Sequence, residues 1–196
     1  PRVKAPSCQA CNSRLKRIEE EVLIPLALTL DPSDPRSAGV PQRVWRALDP
    51  GAAHGEKDRR ARASLRKRVQ QHAFVPPTSA GQFPGCAPRG SALALPLRAT
   101  AIGLLGEKLT RVVYWSKFGI YIEQDHAIET HVVARGEDEQ RVAEVIRRGE
   151  RVDVPPGILV AVRRAADDPA AGLVVADFWG RIRLFTSVLP VSSGAE

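Results

Sequence analysis

Apolar residues near the start of the chain recur at intervals of three and four: Leu15, Ile18, Val22 and Leu26. That period puts them on one stripe of a helix within residues 6–30. Ser7 or Asn12 would cap this helix, Glu19, Glu20 and Glu21 lie on its middle turns, and Pro25 should kink or end it. Residues 31–56, with DPSDPRSAG and LDPGAAHG, read as loop around a short apolar knot at Val44, Trp45 and Leu48. The run KDRRARASLRKRVQQH (57–72) is a helix whose apolar stripe is only Ala61, Leu65 and Val69. Residues 75–98 read as loop again. A fuller helix is expected over 100–118, with Ile102, Leu105, Leu109, Val112 and Val113 on one side, Tyr114, Trp115 and Phe118 following, and a bend at Gly119.

The last third mixes types. EDEQRVAEVIRRG is an amphipathic helix with acids in its first turn, arginines in its last, and Gly149 as its C-terminal cap. Three strand-like runs follow, ILVAVRR (158–164), LVVADFW (173–179) and RIRLFTSVL (181–189), separated by DDPAAG and Gly180. Their natural arrangement is an antiparallel meander. The expected class is therefore α+β, with helices first and the sheet near the C-terminus.

Composition narrows the partners. The 196 residues are 43% hydrophobic and 26% charged, enough to bury a real core. Aromatics make up only 5%, so that core must rest on Val, Leu, Ile and Ala. No apolar run approaches the roughly 18 residues of a membrane span, and PRVKAPSCQAC has no signal-peptide stretch. Three cysteines, two of them two residues apart, do not make a disulfide framework, which points to a reducing, cytoplasmic setting. The chain opens on Pro1 and contains no methionine, so a segment of a longer chain is expected.

The net charge is +7, and its distribution matters more than its size. Residues 1–72 hold 15 Lys/Arg against 8 Asp/Glu, whereas residues 73–196 hold 14 of each. All of the basic excess thus belongs to the N-terminal third. Such an asymmetry is the electrostatic footprint of a polyanion-binding region joined to a neutral domain, although a solvated basic surface would look the same in composition.

The most specific chemical feature is Cys8-x-x-Cys11-Asn12 at the head of the first helix. Thiolates at that spacing can share one metal ion, and the helix start favours their negative charge. The pair supplies half of a tetrahedral zinc site. Either His54, His72 or Cys86 completes it from a distance, or further cysteines lie upstream; a redox pair or two buried thiols are the other readings.

CQACNSRLKRIEEEVLIPL resembles the second half of the zinc-knuckle form of HNH endonucleases, where a CxxCN run opens the helix of the ββα-metal motif. The later run EKLTRVVYWSKFGIYI resembles a segment downstream of the HNH core; it keeps Lys108, Arg111, Tyr114 and Gly119 but has Val112 where glycine is usual. The first resemblance covers residues 7–26 and the second 107–122.

By that resemblance Cys8 and Cys11 are structural Zn²⁺ ligands, and Asn12 braces the hairpin that holds the catalytic histidine. Glu19 or Glu20 stands near the last ligand of a catalytic Mg²⁺ or Mn²⁺, a hard cation suited to carboxylate oxygens. The family's upstream CxxC and its base histidine have no counterpart in these 196 residues, so the resemblance implies no cleavage by this stretch alone. The chain is then expected to divide into a partial zinc-knuckle segment (1–30), a basic helix with flanking loops (31–98) and an α+β domain (99–196).

Two functions follow. One is an HNH-type, metal-dependent endonuclease acting on DNA; the other is a non-catalytic, zinc-stabilised module that binds nucleic acid. In both, phosphates would meet Arg14, Lys16 and Arg17 on the first helix and Arg59, Arg60, Arg62, Arg66, Lys67 and Arg68 on the second. A third possibility is a regulatory protein whose basic helix docks on an acidic partner. Asn12 also serves as a plain cap, and Glu19–Glu21 also as a solvated helix face. Trp45, Trp115 and Trp179 are expected as core or packing residues rather than as base-stacking platforms. His126 and His131, beside Asp125 and Glu129, read as a polar loop rather than a second metal site.

Overall fold

The computed structural model describes residues 9–73, 95–123, 125–133, 139–154 and 157–191, and for residues 10–12, 14 and 154 the backbone alone. Helix α1 (Gln9–Leu28) buries Ile18, Val22 and Leu26 with Leu15 packed beside them, the stripe its spacing predicts. Pro25 does not end the helix, which runs three residues further. Asp31 then turns the chain by accepting from Ser33 N (2.8 Å), and Asp34 caps a 3₁₀ turn at Pro35–Ser37.

The expected loop over 31–56 contains a second helix, α2 (Val40–Leu48), with proline in its first turn, where the missing N–H is not needed. It buries Val40, Pro41 and Leu48. Helix α3 (Glu56–His72) carries two acids in its first turn and buries no residue completely. Leu65 and Val69 are half-buried, but Ala61 is exposed, so the stripe is narrower than the spacing suggests.

Helix α4 (Ala99–Val113) buries Ala101, Ile102, Leu105, Gly106, Thr110 and Val113, and passes into a π-helical turn at Tyr114–Phe118 that Gly119 closes at φ 68°. Strand β1 (His126–Val132) follows, then α5 (Glu139–Arg148), β2 (Glu150–Val154), β3 (Ile158–Arg164), β4 (Gly172–Phe178) and β5 (Ile182–Pro190). The described residues form an antiparallel sheet in the order β1-β5-β4-β3-β2. The chain is therefore α+β. The meander of β3, β4 and β5 is as expected, while β1 and β2 extend it at both edges.

Alternation along the strands gives the sheet two working faces. Val160, Val162, Val174, Ala176, Leu184 and Val188 face α1 and α4 in the larger core. Ala161 and Val175 face the other way, against Val142 and Val145 of α5. Residues from 1–30 and from 99–196 thus share one core. Gly106 lets α4 lie close on β1, because a Cβ there would run into the Thr130 side chain. At the β4–β5 turn, Trp179 (φ 54°) and Gly180 (φ 66°) are both left-handed, and Arg181 N donates to Phe178 O at 2.9 Å. Positive φ at both central positions matches the twist of a hairpin.

The tryptophans divide. Trp179 is buried as expected, but Trp45 is 60% and Trp115 39% exposed, so neither is a core residue. The polar stretch around His126 is not a loop either, but most of strand β1.

Candidate nucleic-acid interface

Helix α3 holds seven basic residues against two acids. Its half-buried positions, Asp58, Arg62, Leu65, Arg68 and Val69, lie on the side turned to the rest of the protein. At 3.6 residues per turn, Arg59, Arg60, Arg66 and Lys67 fall within an arc of about 120° on the opposite side, and all four are exposed. Glu56 shares that arc and pairs with Arg59 (3.2 Å) and Arg60 (2.9 Å). Among the described residues Arg66 and Lys67 have no ion-pair partner. A rigid helix therefore presents four cations and one carboxylate to solvent. Arg59 and Arg66, and Arg60 and Lys67, are each separated by about 10 Å along the axis.

Two of the arginines expected to face phosphate do structural work instead. Arg62, with a side chain only 17% exposed, pairs with Asp58 at 3.0 Å, and its guanidinium also donates to the Arg46 carbonyl at the end of α2. That guanidinium holds the Asp58 carboxyl below the ordinary carboxylate range. Arg68 reaches across to Glu20 of α1 at 3.2 Å. On α1, Lys16 and Arg17 are exposed, and Arg17 pairs with Glu21 at 3.5 Å. Cys8 and Cys86 lie outside the described residues, as do the side chains of Cys11, Asn12 and Arg14.

The acidic run of α1 also answers three cations from outside the helix. Glu19 pairs with Lys108 of α4 at 2.7 Å, Glu20 with Arg68 of α3, and Glu21 with Arg98 just before α4. Successive helical residues point about 100° apart, so three carboxylates in a row diverge and tie α1 to its neighbours. Glu19 and Glu20, either of which the resemblance offers as a ligand of Mg²⁺ or Mn²⁺, are each paired with a cation in this arrangement. Among the described residues no group of three or more His, Cys, Asp or Glu side chains is placed to hold a metal ion.

A cavity of about 290 Å³ lies between α1 and α3. Arg17, Arg68 and Arg98 line it, but so do Glu20 and Glu21, which nearly cancel them. The outward side of α3, by contrast, carries uncompensated charge.

A second polar cluster joins β1 to the β3–β4 hairpin. His126 Nδ1 lies 2.7 Å from Asp125 Oδ1 and Nε2 lies 2.9 Å from Asp168 Oδ2, with the side chain 9% exposed. With a carboxylate at each nitrogen, both must donate, which is the imidazolium form. The bond to Asp168, then that to Asp125, raises the His126 pKa, and the His126 bond lowers that of Asp168. Nearby, burial pushes the Tyr114 hydroxyl up to about 12, and among the described residues it has no hydrogen-bond partner.

Sequence reasoning missed two things here. Nothing in the local pattern separates Trp45, exposed on α2, from a core tryptophan. The His126–Asp168 contact joins positions 42 apart, beyond the reach of a spacing argument. No protein-family model, curated protein or solved structure matches the chain. Among the described residues no helix is long and apolar enough to cross a membrane.

Proposed function

We propose that the chain binds nucleic acid, with the outward side of α3 as the element that meets phosphates. The observation that supports this reading is the arc of Arg59, Arg60, Arg66 and Lys67, exposed on a helix whose other side is anchored by Arg62 and Arg68. The backbone that carries these cations is already ordered in a helix, and counterion release then drives association with a phosphate backbone. Structural Zn²⁺ at Cys8 and Cys11 belongs to the same proposal, as the fixture that would hold the start of α1 beside this surface.

The test is fluorescence anisotropy of a labelled nucleic acid with the whole chain and with a variant carrying Arg66→Glu and Lys67→Glu. Wild type should bind, and the variant should bind distinctly more weakly with unchanged circular dichroism. Equal affinity of the two proteins, or no binding by wild type, ends the reading.

The endonuclease reading draws on one observation, that Cys11 and Asn12 lie on the same helix as Glu19 and Glu20, as in the HNH family's metal helix. It asks more of Glu19 and Glu20 than their ion pairs with Lys108 and Arg68 allow, so binding is the stronger reading. Zinc content of purified protein, and incubation of supercoiled plasmid with Mg²⁺ or Mn²⁺, test this second reading. Protein without zinc that leaves plasmid intact retires it.

A further inference from the structure

Helix α2 spends its apolar side on the core. Val40, Pro41 and Leu48 are buried and Val44 is half-buried, yet Trp45 stands outside that stripe with 60% of its surface in water. Its neighbours on the helix, Arg43 and Arg46, are exposed as well, and VPQRVWRAL contains no acid. The placement of this helix end is fixed. Arg62 donates to the Arg46 carbonyl, which docks the last turn of α2 against the inward side of α3, one turn along the helix from Arg59 and from Arg66. A large aromatic face thus stands one residue from the point where α2 meets α3.

Resting on the nucleic-acid reading above, we propose that Trp45 is a base-stacking platform and that the preferred ligand is single-stranded. The chemistry follows from what each partner exposes. A duplex keeps its bases stacked on one another and offers phosphates, groove edges and little else. A single strand offers π-faces that stack on an aromatic ring while its phosphates meet nearby guanidinium groups. The absence of carboxylates on α2 and the excess of cations on α3 favour a polyanion as the occupant over an acid-poor protein surface. Trp45 and the α3 cations then divide the work: Arg59 and Arg66 hold the backbone, and the indole takes a base.

Tryptophan emission gives a direct readout. The whole chain is titrated at low salt with an oligothymidine 15-mer and, separately, with a DNA duplex of the same length, using wild type, Trp45→Ala and Trp45→Phe. The single strand should quench wild-type emission, and Trp45→Ala should remove most of that quench. The same variant should weaken oligothymidine binding by about 5- to 150-fold, the range for losing one base stack. Duplex affinity should stay unchanged, and Trp45→Phe should restore part of the loss. If wild type and Trp45→Ala bind oligothymidine equally, the stacking proposal is overturned. Should both nucleic acids then bind with the same salt dependence, the phosphate-binding reading stands without it. Binding of neither nucleic acid overturns both. Loss of self-association in Trp45→Ala, with oligothymidine binding intact, would make a second copy the occupant and also overturn the proposal.

Discussion

Trp179 sets two opposed terms against each other. Its backbone is left-handed at φ 54°, which costs an L-residue with a side chain about 1–2 kcal/mol. Its indole is 7% exposed, lies 6.1 Å from the Phe178 ring, and stands against Gly157. Truncating a buried tryptophan costs about 3–5 kcal/mol. The burial term is the larger, so the turn keeps a bulky residue where glycine would be easier on the backbone. Trp179→Ala loses the indole and retains the strain. Trp179→Gly loses the indole, relieves the strain, and gives back about 0.4–1 kcal/mol through the freer unfolded chain. Trp179→Gly should therefore be more stable than Trp179→Ala, by about 1 kcal/mol, with both below wild type. In a chain of this length that difference is about 2–4 °C in Tm. Urea unfolding followed by circular dichroism measures it without depending on tryptophan emission. A Trp179→Ala variant as stable as Trp179→Gly would refute the left-handed turn, and a loss under about 1 kcal/mol in both would refute the buried indole.

Further outcomes follow from the same coordinates. His126 has a raised pKa in the fold, so the stabilisation from its imidazolium is fully present below the ordinary value of 6.5 and is lost as pH rises through the raised one. Asp168, lowered from 3.8, adds a loss as pH falls through its depressed value; the urea midpoint should fall on both flanks, and His126→Gln should flatten the upper one, at most about 1.4 kcal/mol per pH unit. An upper flank unchanged in His126→Gln would show that another group titrates there. Tyr114→Phe removes a buried hydroxyl with no partner among the described residues, so stability should hold or rise; a drop beyond about 1 kcal/mol would reveal a partner. Gly106→Ala forces a methyl against Thr130 and should cost about 1–3 kcal/mol in urea unfolding, with no cost if α4 and β1 are further apart than described.

What the sequence made legible depended on where each element finds its partners. The α1 stripe and the β3–β5 meander announce themselves, because the residues that face the core are apolar and evenly spaced. Strand β1 does not. Its half-buried positions include His126 and Thr130, which are satisfied by Asp168 (2.9 Å) and Thr186 (3.0 Å) from distant parts of the chain. Polar residues facing inward look like loop until their acceptors are known. Helix α2 hides for a related reason: it is nine residues long, far too short to be stable alone, and exists because Val40 and Leu48 are buried and Arg62 holds its end. The basic character of α3 was plain, but not its division into outward cations and inward braces. Arg68 and Glu20 are 48 positions apart, and Lys108 and Glu19 are 89. The acidic run on α1, offered by the zinc-knuckle resemblance as a source of cation ligands, pairs with Lys108, Arg68 and Arg98 of other segments.

The claim on which the account rests is that the outward side of α3 neutralises phosphates. The salt dependence of binding counts them directly. Four cations are available and two of these share Glu56, so two to four phosphates should be neutralised. The slope of log K against log salt concentration should then lie between about −1.8 and −3.6 on a duplex. Raising salt from 50 to 200 mM should weaken binding by roughly 10- to 150-fold. Charge reversal at Arg66 and Lys67 should make the slope shallower by about 1.8. Tight binding that ignores salt, or a slope unchanged by that reversal, would contradict the assignment of α3 as the phosphate-binding surface.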